Sequence, residues 1–434
     1  MSGLLTIGVV YGVPALAFML VYWLVQRRGT RKAELVYQES VESGLLEPAS
    51  LHPVIDYARC LGCGTCVKAC PEKSVLGLMN NRAYLIKPSS CIGHGACKTA
   101  CPTQAITLVF GTATRGVDIP QVGADFQTNI PGIYIAGELG GMGLIRNAIE
   151  QGRQAIEAIG RNGRKRPAGQ LDVLIIGAGP AGISAAMAAK ESNLRYRVLE
   201  QDTVGGTIAH YPRGKVVMTA PAKLPIVGEF RFAETSKENL MDFWSGVVEQ
   251  AGLDIHTGAR VEGIDIVNDG FQVRADKAYQ ASNVLLAIGR RGTPRKLGVP
   301  GEEHSKVVYR LLDPEQYRGR KVLVVGGGDS ALEAAASLSE EAGTEVTLSY
   351  RGTAFSRVKA KNRERIDRAR EAGRLRVEMG SQVKRISEDT VHLELAGGET
   401  HLANDAVIVC AGGILPSAFL ESVGIAVETR YGTA

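Results

Sequence analysis

Apolar and polar positions change rhythm three times along this chain. Residues 4–25 (LLTIGVVYGVPALAFMLVYWLV) form one uncharged run of 22 residues. As a helix, that run has the length needed to span a hydrocarbon core of roughly 30 Å. Gly8, Gly12 and Pro14 are tolerated in membrane helices. Tyr22 and Trp23 close the run where aromatic belts form, and Arg27, Arg28, Arg31 and Lys32 follow directly. The positive-inside rule then places the bulk of the chain in the cytoplasm. The expectation is a single-pass helix in the inner (cytoplasmic) membrane, with lipid as its partner. A cleaved signal peptide fits less well, because a charged start and an A-x-A-like site are missing. The span contains no His, so it cannot ligate a b-type haem. Residues 33–52 read as a short juxtamembrane helix and linker.

Further on, buried strands alternate with helices. Val173–Ile176 runs into Gly177-Ala178-Gly179-Pro180-Ala181-Gly182, then an Ala-rich helix, then a strand ending in Glu200. Lys321–Val325 runs into Gly326-Gly327-Gly328-Asp329-Ser330-Ala331, a helix, and the strand Val346–Ser349. Strand, G-x-G-x-x-G or G-x-G-x-x-A, helix and strand together form a dinucleotide-binding unit of an α/β fold. The glycines allow a tight turn and close approach of a pyrophosphate to the helix N-terminus. Glu200, about 20 residues on, suits an adenosine ribose. The second unit ends instead in Tyr350-Arg351, with Arg357 close behind. Losing the carboxylate and gaining guanidinium groups favours a ribose 2′-phosphate, hence NADPH over NADH. The alternative is a solvated basic face, since residues 357–370 (RVKAKNRERIDRAR) are basic throughout.

Composition sharpens this picture at one point. The 434 residues are 45% hydrophobic and 22% charged, with a formal net charge of +5. That excludes a disordered chain and demands no nucleic-acid partner. Cys is only 8, and seven of these lie between residues 60 and 101. Cys60, Cys63, Cys66 and Cys70 followed by Pro71 make C-x2-C-x2-C-x3-C-P. Cys91, Cys97 and Cys101 followed by Pro102 repeat the frame 31 residues later, with His94 in the second place. Three thiolates in a tight loop reach three irons of one cubane, and a fourth Cys before Pro turns to the other cluster. Zinc uses C-x2-C pairs but not this doubled frame, and a cytoplasmic chain disfavours disulfides.

Residues 53–110 therefore resemble the bacterial two-cluster ferredoxins, an α+β domain. The resemblance implies one [4Fe–4S] cluster on Cys60, Cys63, Cys66 and Cys101, and another on Cys91, Cys97 and Cys70. His94 has three readings: an imidazole ligand that raises the potential, a neighbour of a three-Cys site, or a surface residue with no metal role.

With FAD first and pyridine nucleotide second, residues 171–434 resemble the thioredoxin-reductase-like flavoproteins. This implies an FAD site at Gly177, Ala178, Gly179, Pro180, Ala181, Gly182 and Glu200, with Gly205-Gly206 near the flavin. It implies an NADP site at Gly326, Gly327, Gly328, Asp329, Ser330, Ala331, Arg351 and Arg357. Residues 285–295 and 406–416 resemble that family's two crossings between domains. The family's C-x-x-C pair is missing: residues 307–320 hold no Cys. Cys410 alone cannot form an intramolecular disulfide and reads as a core residue. The chain thus resembles branches without the pair, the thioredoxin-reductase-like ferredoxin–NADP reductases and bacillithiol-disulfide-reductase-like proteins. His210, in the flavin-proximal stretch, reads as a packing or hydrogen-bonding residue.

The order is also unusual. Residues 125–138 carry a strand and a Gly137-Glu138 turn, then a helix, as in that family's C-terminal flavin-covering segment, where Asp is commoner than Glu. A circular permutation accounts for this, because chain termini often lie close together. The expected division is: 4–25 transmembrane helix; 33–52 linker; 53–110 ferredoxin domain; 111–160 permuted FAD-domain segment; 161–170 linker; 171–290 FAD domain; 291–412 NAD(P) domain; 413–434 return to the FAD domain. The expected activity is a membrane-anchored FAD-dependent oxidoreductase moving electrons between NADPH and two [4Fe–4S] clusters. A membrane or soluble redox partner would follow, and a homodimer is one assembly open to it. A small-disulfide reductase and an iron–sulfur redox sensor are the alternatives.

Overall fold

The computed structural model describes residues 2–42, 46, 48, 51–91, 93, 95–113, 116–141, 143–162, 169–218, 222–230, 234–268, 270–290, 293–355, 358–414 and 416–432. The chain divides into two compact units. One holds residues 1–113, 354–359 and 432–434, and the other residues 114–353 and 360–431.

The first unit begins with a single helix, Ser2–Glu42. Residues 33–42, expected to belong to a separate segment, continue it without a break. Ala33 is buried against Met79 and Ile86, with Val36 and Tyr84 beside it. These partners belong to the hairpin Leu76–Met79 and Arg82–Leu85 and to the residue after it. Gly77 makes this docking feasible, since a Cβ there would lie 2.7 Å from the Ala33 methyl. The strands His52–Ile55 and Ile106–Val109 pair antiparallel and close the unit.

The expected membrane anchor is corrected. Among the described residues no helix is long and apolar enough to cross a membrane. Inner-membrane localisation and the transmembrane fold element fall with it, and lipid as a partner is not shown.

The second unit is built on a seven-stranded sheet. Leu171–Ile176 lies between Tyr196–Glu200 and Ala278–Leu286, parallel to both. Ile255–Thr257 extends one edge, and Gly270–Arg274 and Gly263–Val267 the other. The strand Ile133–Ile135 joins this same sheet, parallel to Ala278–Leu286 through Ile133↔Val284, Tyr134↔Leu285 and Ile135↔Leu286. All three of its residues are fully buried. Parallel strands covered on both faces read as continuous Val/Ile/Leu runs, as Val173–Ile176 does.

The chain's last strand, Val427–Arg430, pairs antiparallel with Val117–Pro120. Asn129 adds two bonds to the same end, donating to the Gly424 carbonyl (2.9 Å) and accepting from the Ala426 N–H (2.9 Å). Leu420, Val423 and Ile425 share one core with Ile133, Ile135, Leu139 and Leu174. Truncating a fully buried member such as Leu174 to Ala costs about 2–5 kcal/mol.

A second, five-stranded parallel sheet runs in the order Val307–Val308, Ala406–Val409, Lys321–Val325, Glu345–Tyr350, Leu375–Met379. Between the sheets, the two segments expected as crossings pair with each other, Thr293↔Ile414 and Pro294↔Gly413.

Candidate functional site

In the first unit, the two Cys frames fold into copies of one device. Gly64 and Gly95, both left-handed (φ 74° and 79°), open the short helices Thr65–Ala69 and Ala96–Thr99. The conformation disfavours any residue with a Cβ. The result is two small cavities. Cys60, Cys63, Cys66 and Cys101 line one. Cys70, Cys91 and Cys97 line the other. Thus the last Cys of each frame faces the cavity of the opposite frame. Among the described residues no three His, Cys, Asp or Glu side chains converge as a single-ion site; the thiols sit instead around the cavity walls. His94 lies outside the described residues.

The sulfurs differ in environment. Burial pushes the Cys66 and Cys97 thiols up to about 11. Burial also raises Cys70 and Cys91. Cys63 is lowered by its bond with the Thr65 hydroxyl, 3.0 Å away. Cys101 is lowered too: burial opposes the change, and bonds from Thr103 and from the Ala105 N–H (3.3 Å) outweigh it. Backbone N–H groups reach sulfur at Cys60 from Ala83 (3.5 Å) and at Cys101, the kind of contact that tunes cluster potentials.

In the second unit, three glycine turns assemble at the C-terminal edge of the seven-stranded sheet, where open α/β sheets bind ligands. Gly177 (φ 103°) leaves its strand so tightly that a Cβ would lie 2.6 Å from the Ala287 carbonyl oxygen. A Cβ at Gly182 would overlap the Gly177 carbonyl oxygen. Pro180 starts the helix Pro180–Glu191 at a position that needs no N–H. Gly205 donates its N–H to the Ala178 carbonyl (2.9 Å), and a Cβ on Gly206 would lie 3.0 Å from the Gly179 Cα. Gly137 donates to Gln151 Oε1 (2.8 Å) and abuts Ala181. Side chains are excluded from this cradle, as a pyrophosphate and its attached rings require. These turns therefore fit FAD.

Glu200 is buried, and its two oxygens accept the N–H groups of Ala178 (2.7 Å) and Asp202 (3.0 Å). Its remaining lone pairs could accept ribose hydroxyls. Arg290 was not singled out by the sequence. It donates to the Asp118 carbonyl (3.1 Å) and faces Glu138; burial lowers its pKa, and the charges of Glu138 and Asp118 oppose this. Only the fold brings residues 118, 138 and 290 together. His210 Nε2 lies 3.2 Å from Asp202 Oδ2, consistent with a hydrogen-bonding role.

The second dinucleotide turn sits in the five-stranded sheet. Gly326 (φ 147°) passes so close to the Cys410 carbonyl oxygen that a Cβ would overlap it. The helix Asp329–Ser339 begins directly after Gly328. The buried Asn362 amide donates to Asp329 Oδ1 (2.8 Å) and Glu333 Oε1 (3.2 Å). Ser330 is exposed and Ala331 buried. Arg351 is exposed just beyond the strand end. Arg357 lies outside the described residues. The Cys410 thiol is pushed up to about 12 by burial and by Glu333, although the residue as a whole is partly accessible.

Comparison with known proteins accords with this geometry. Residues 174–433 match the pyridine nucleotide-disulphide oxidoreductase family, and residues 52–102 match the 4Fe-4S dicluster domain. A ferredoxin–NADP reductase of Ignicoccus hospitalis is 31% identical over 261 residues, 58% of this chain and 81% of the relative. The bacilliredoxin reductase Bdr of Bacillus subtilis is 28% identical over 273 residues, 61% of this chain and 83% of the relative. Among solved structures, a bacillithiol disulfide reductase Bdr from Staphylococcus aureus aligns with a TM-score of 0.55 at 25% identity, covering 61% of this chain and 85% of that one. The chain belongs to the pyridine nucleotide-disulphide oxidoreductase family, as an FAD-dependent NAD(P)H oxidoreductase joined to a 4Fe-4S dicluster ferredoxin domain.

Proposed function

We propose that this protein transfers electrons between NADPH and two [4Fe–4S] clusters, using FAD as the converter, and exchanges them with a further redox partner. Cys60, Cys63, Cys66 and Cys101 hold one cluster, and Cys91, Cys97 and Cys70 ligate the other. The observation that carries this reading is the exchange of Cys70 and Cys101 between the two cavities, which is the ligand pattern of a two-cluster domain. FAD supplies the chemistry that links a two-electron hydride donor to one-electron clusters. The chain's own residues position it: Gly137, Gly177–Gly179 and Gly205–Gly206 exclude side chains, and Glu200 and Glu138 supply acceptors. The order of segments, with residues 133–135 in the sheet of Leu171–Ile176, supports a circularly permuted FAD domain.

Purified full-length protein, loaded with FAD and clusters under anaerobic conditions, should show two reduced-cluster EPR signals on addition of NADPH. Unchanged clusters after full NADPH oxidation would overturn the assignment. A second reading, direct reduction of a small disulfide, is favoured by the likeness to Bdr. It predicts full turnover with low-molecular-weight disulfides after cluster removal. The Cys410 thiol, held near 12, contributes no thiolate to such chemistry at neutral pH.

A further inference from the structure

The two dinucleotide turns of this chain are laid out on the same register. Ile176, the last strand residue before Gly177, pairs with Leu199, and Glu200 follows. Val325, the last before Gly326, pairs with Ser349, and Tyr350 follows. Glu200 and Tyr350 are therefore equivalent positions. In the first turn, Glu200 accepts the N–H of Ala178, the middle residue of G-x-G. In the second, the Tyr350 ring lies on Gly327, the middle residue of its own G-x-G. A Cβ at Gly327 would overlap ring atoms Cε2, Cδ2 and Cζ.

The phosphate-binding pattern leaves that middle position open to any residue. Gly327 does not lie in the left-handed region, so its backbone does not demand glycine either. The same holds for Gly352, where a Cβ would lie 2.7 Å from Cε1 and 2.8 Å from Cζ of the same ring. Two glycines without a backbone reason are thus both cut away around one aromatic ring. Hydrogen bonds hold the segment that carries the ring. Ser381 donates its N–H to the Tyr350 carbonyl (3.1 Å), Gly380 donates to the Gly352 carbonyl (3.0 Å), and the Ser349 and Ser381 hydroxyls bond at 2.8 Å.

We propose that Tyr350 is a specificity-determining residue of the second dinucleotide site. Clamped between Gly327 and Gly352, its ring replaces the carboxylate that a ribose 2′-hydroxyl would need as acceptor, sets the Gly326–Gly328 turn, and leaves the 2′ position to Arg351. The ligand class selected is a nucleotide with a 2′-phosphorylated ribose. This rests on the NADPH reading and adds to it the residue that rejects the unphosphorylated nucleotide.

The test uses the FAD-loaded full chain and calorimetric binding of 2′,5′-ADP and 5′-AMP, which needs no turnover. Gly327→Ala should weaken 2′,5′-ADP about tenfold in the native background, and less than about twofold when combined with Tyr350→Ala, because the methyl then meets no ring. Equal losses in both backgrounds would show that Gly327 serves the phosphate alone and would overturn the seat. Should Gly327→Ala alone fail to fold, recovery of FAD-loaded protein in the double variant supports the clamp, and failure of both overturns it. Tyr350→Glu should cut the 2′,5′-ADP over 5′-AMP preference at least about tenfold; an unchanged preference removes Tyr350 as the determinant. Native protein binding 5′-AMP as tightly as 2′,5′-ADP would sink the NADPH reading itself, while the Gly327–Tyr350 coupling would still report on the clamp.

Discussion

Lys215 Nζ lies 2.7 Å from Glu333 Oε2 and ties the flavin side of the molecule to the helix that follows the second glycine turn. Lys215 comes from the loop after the Gly205–Gly206 turn, and Glu333 from Asp329–Ser339. The same junction is reinforced nearby, where Arg213 donates its N–H to the Leu312 carbonyl (2.9 Å) and its guanidinium pairs with Asp313 (3.6 Å). Both partners of the Lys215–Glu333 pair are partly sheltered, so the bond should exceed a fully exposed one. Lys215→Ala should lower stability by about 1 kcal/mol, and the loss should shrink in high salt. Urea unfolding at low and high sodium chloride checks this; a salt-independent loss would mean that packing, not charge, is responsible.

The crossed cysteines make a sharper prediction. Cys101→Ala should abolish the cluster of the first frame, Cys60 to Cys66, and spare the other, although Cys101 belongs to the second frame in sequence. Cys70→Ala should do the reverse. Each should leave about half the iron of a two-cluster protein. Iron analysis with EPR separates the cases. If Cys101→Ala instead removed the signal that Cys91→Ala removes, the division between cavities would be wrong.

What was readable in the sequence follows from where each signal is stored. Cysteine spacing and the G-x-G-x-x-G turns are local: each pattern lies within about a dozen positions, so the Cys60–Cys70 frame and the Gly177–Gly182 turn are legible in the sequence. The strand at Ile133–Ile135 was also visible, because its apolar run is followed by a Gly-acid turn. Extent was harder. The apolar run at 4–25 reads as a complete membrane span followed by a linker, but the helix continues to Glu42, and its Ala33 packs on the Leu76–Met79 hairpin. Contacts between distant segments were invisible. Neither Lys215–Glu333 nor the Tyr350 ring on Gly327 leaves a mark in spacing, since each depends on two chain segments meeting in the fold.

Gly152 tests whether the early helix Ile145–Asn162 belongs to the flavin-binding domain. A Cβ there would overlap the carbonyl oxygen of Ala181, on the helix Pro180–Glu191. Gly152→Ala should therefore push the two helices apart, costing about 2 kcal/mol and loosening FAD, since Ala181 also abuts the Gly137 turn. Gly160, on the same helix, has nothing within 4 Å of its Cβ position. Gly160→Ala should stabilise by up to about 1 kcal/mol through helix propensity. Thermal unfolding and FAD retention on gel filtration read both. Similar outcomes for the two variants would argue against close packing at Gly152.

His210 should make the protein sensitive to mild acid. Its ring sits beside Asp202 and is mostly covered. Burial lowers its pKa, Arg310 and Lys237 lower it further, and Asp202 opposes them incompletely. In the unfolded chain His takes up its proton near pH 6.5. In the folded protein it does so only at lower pH. Between those two values the unfolded state binds more protons, so stability must rise with pH there. The contribution is complete above about pH 6.5 and is lost as pH falls from there toward the folded value. Urea unfolding from about pH 5.5 to about pH 7.5 should show this slope, and His210→Gln should flatten it without changing stability at the alkaline end by more than about 1 kcal/mol. Identical slopes in the two proteins would assign the acid sensitivity to other groups, and a slope of opposite sign would mean that Asp202 outweighs burial and holds His210 charged.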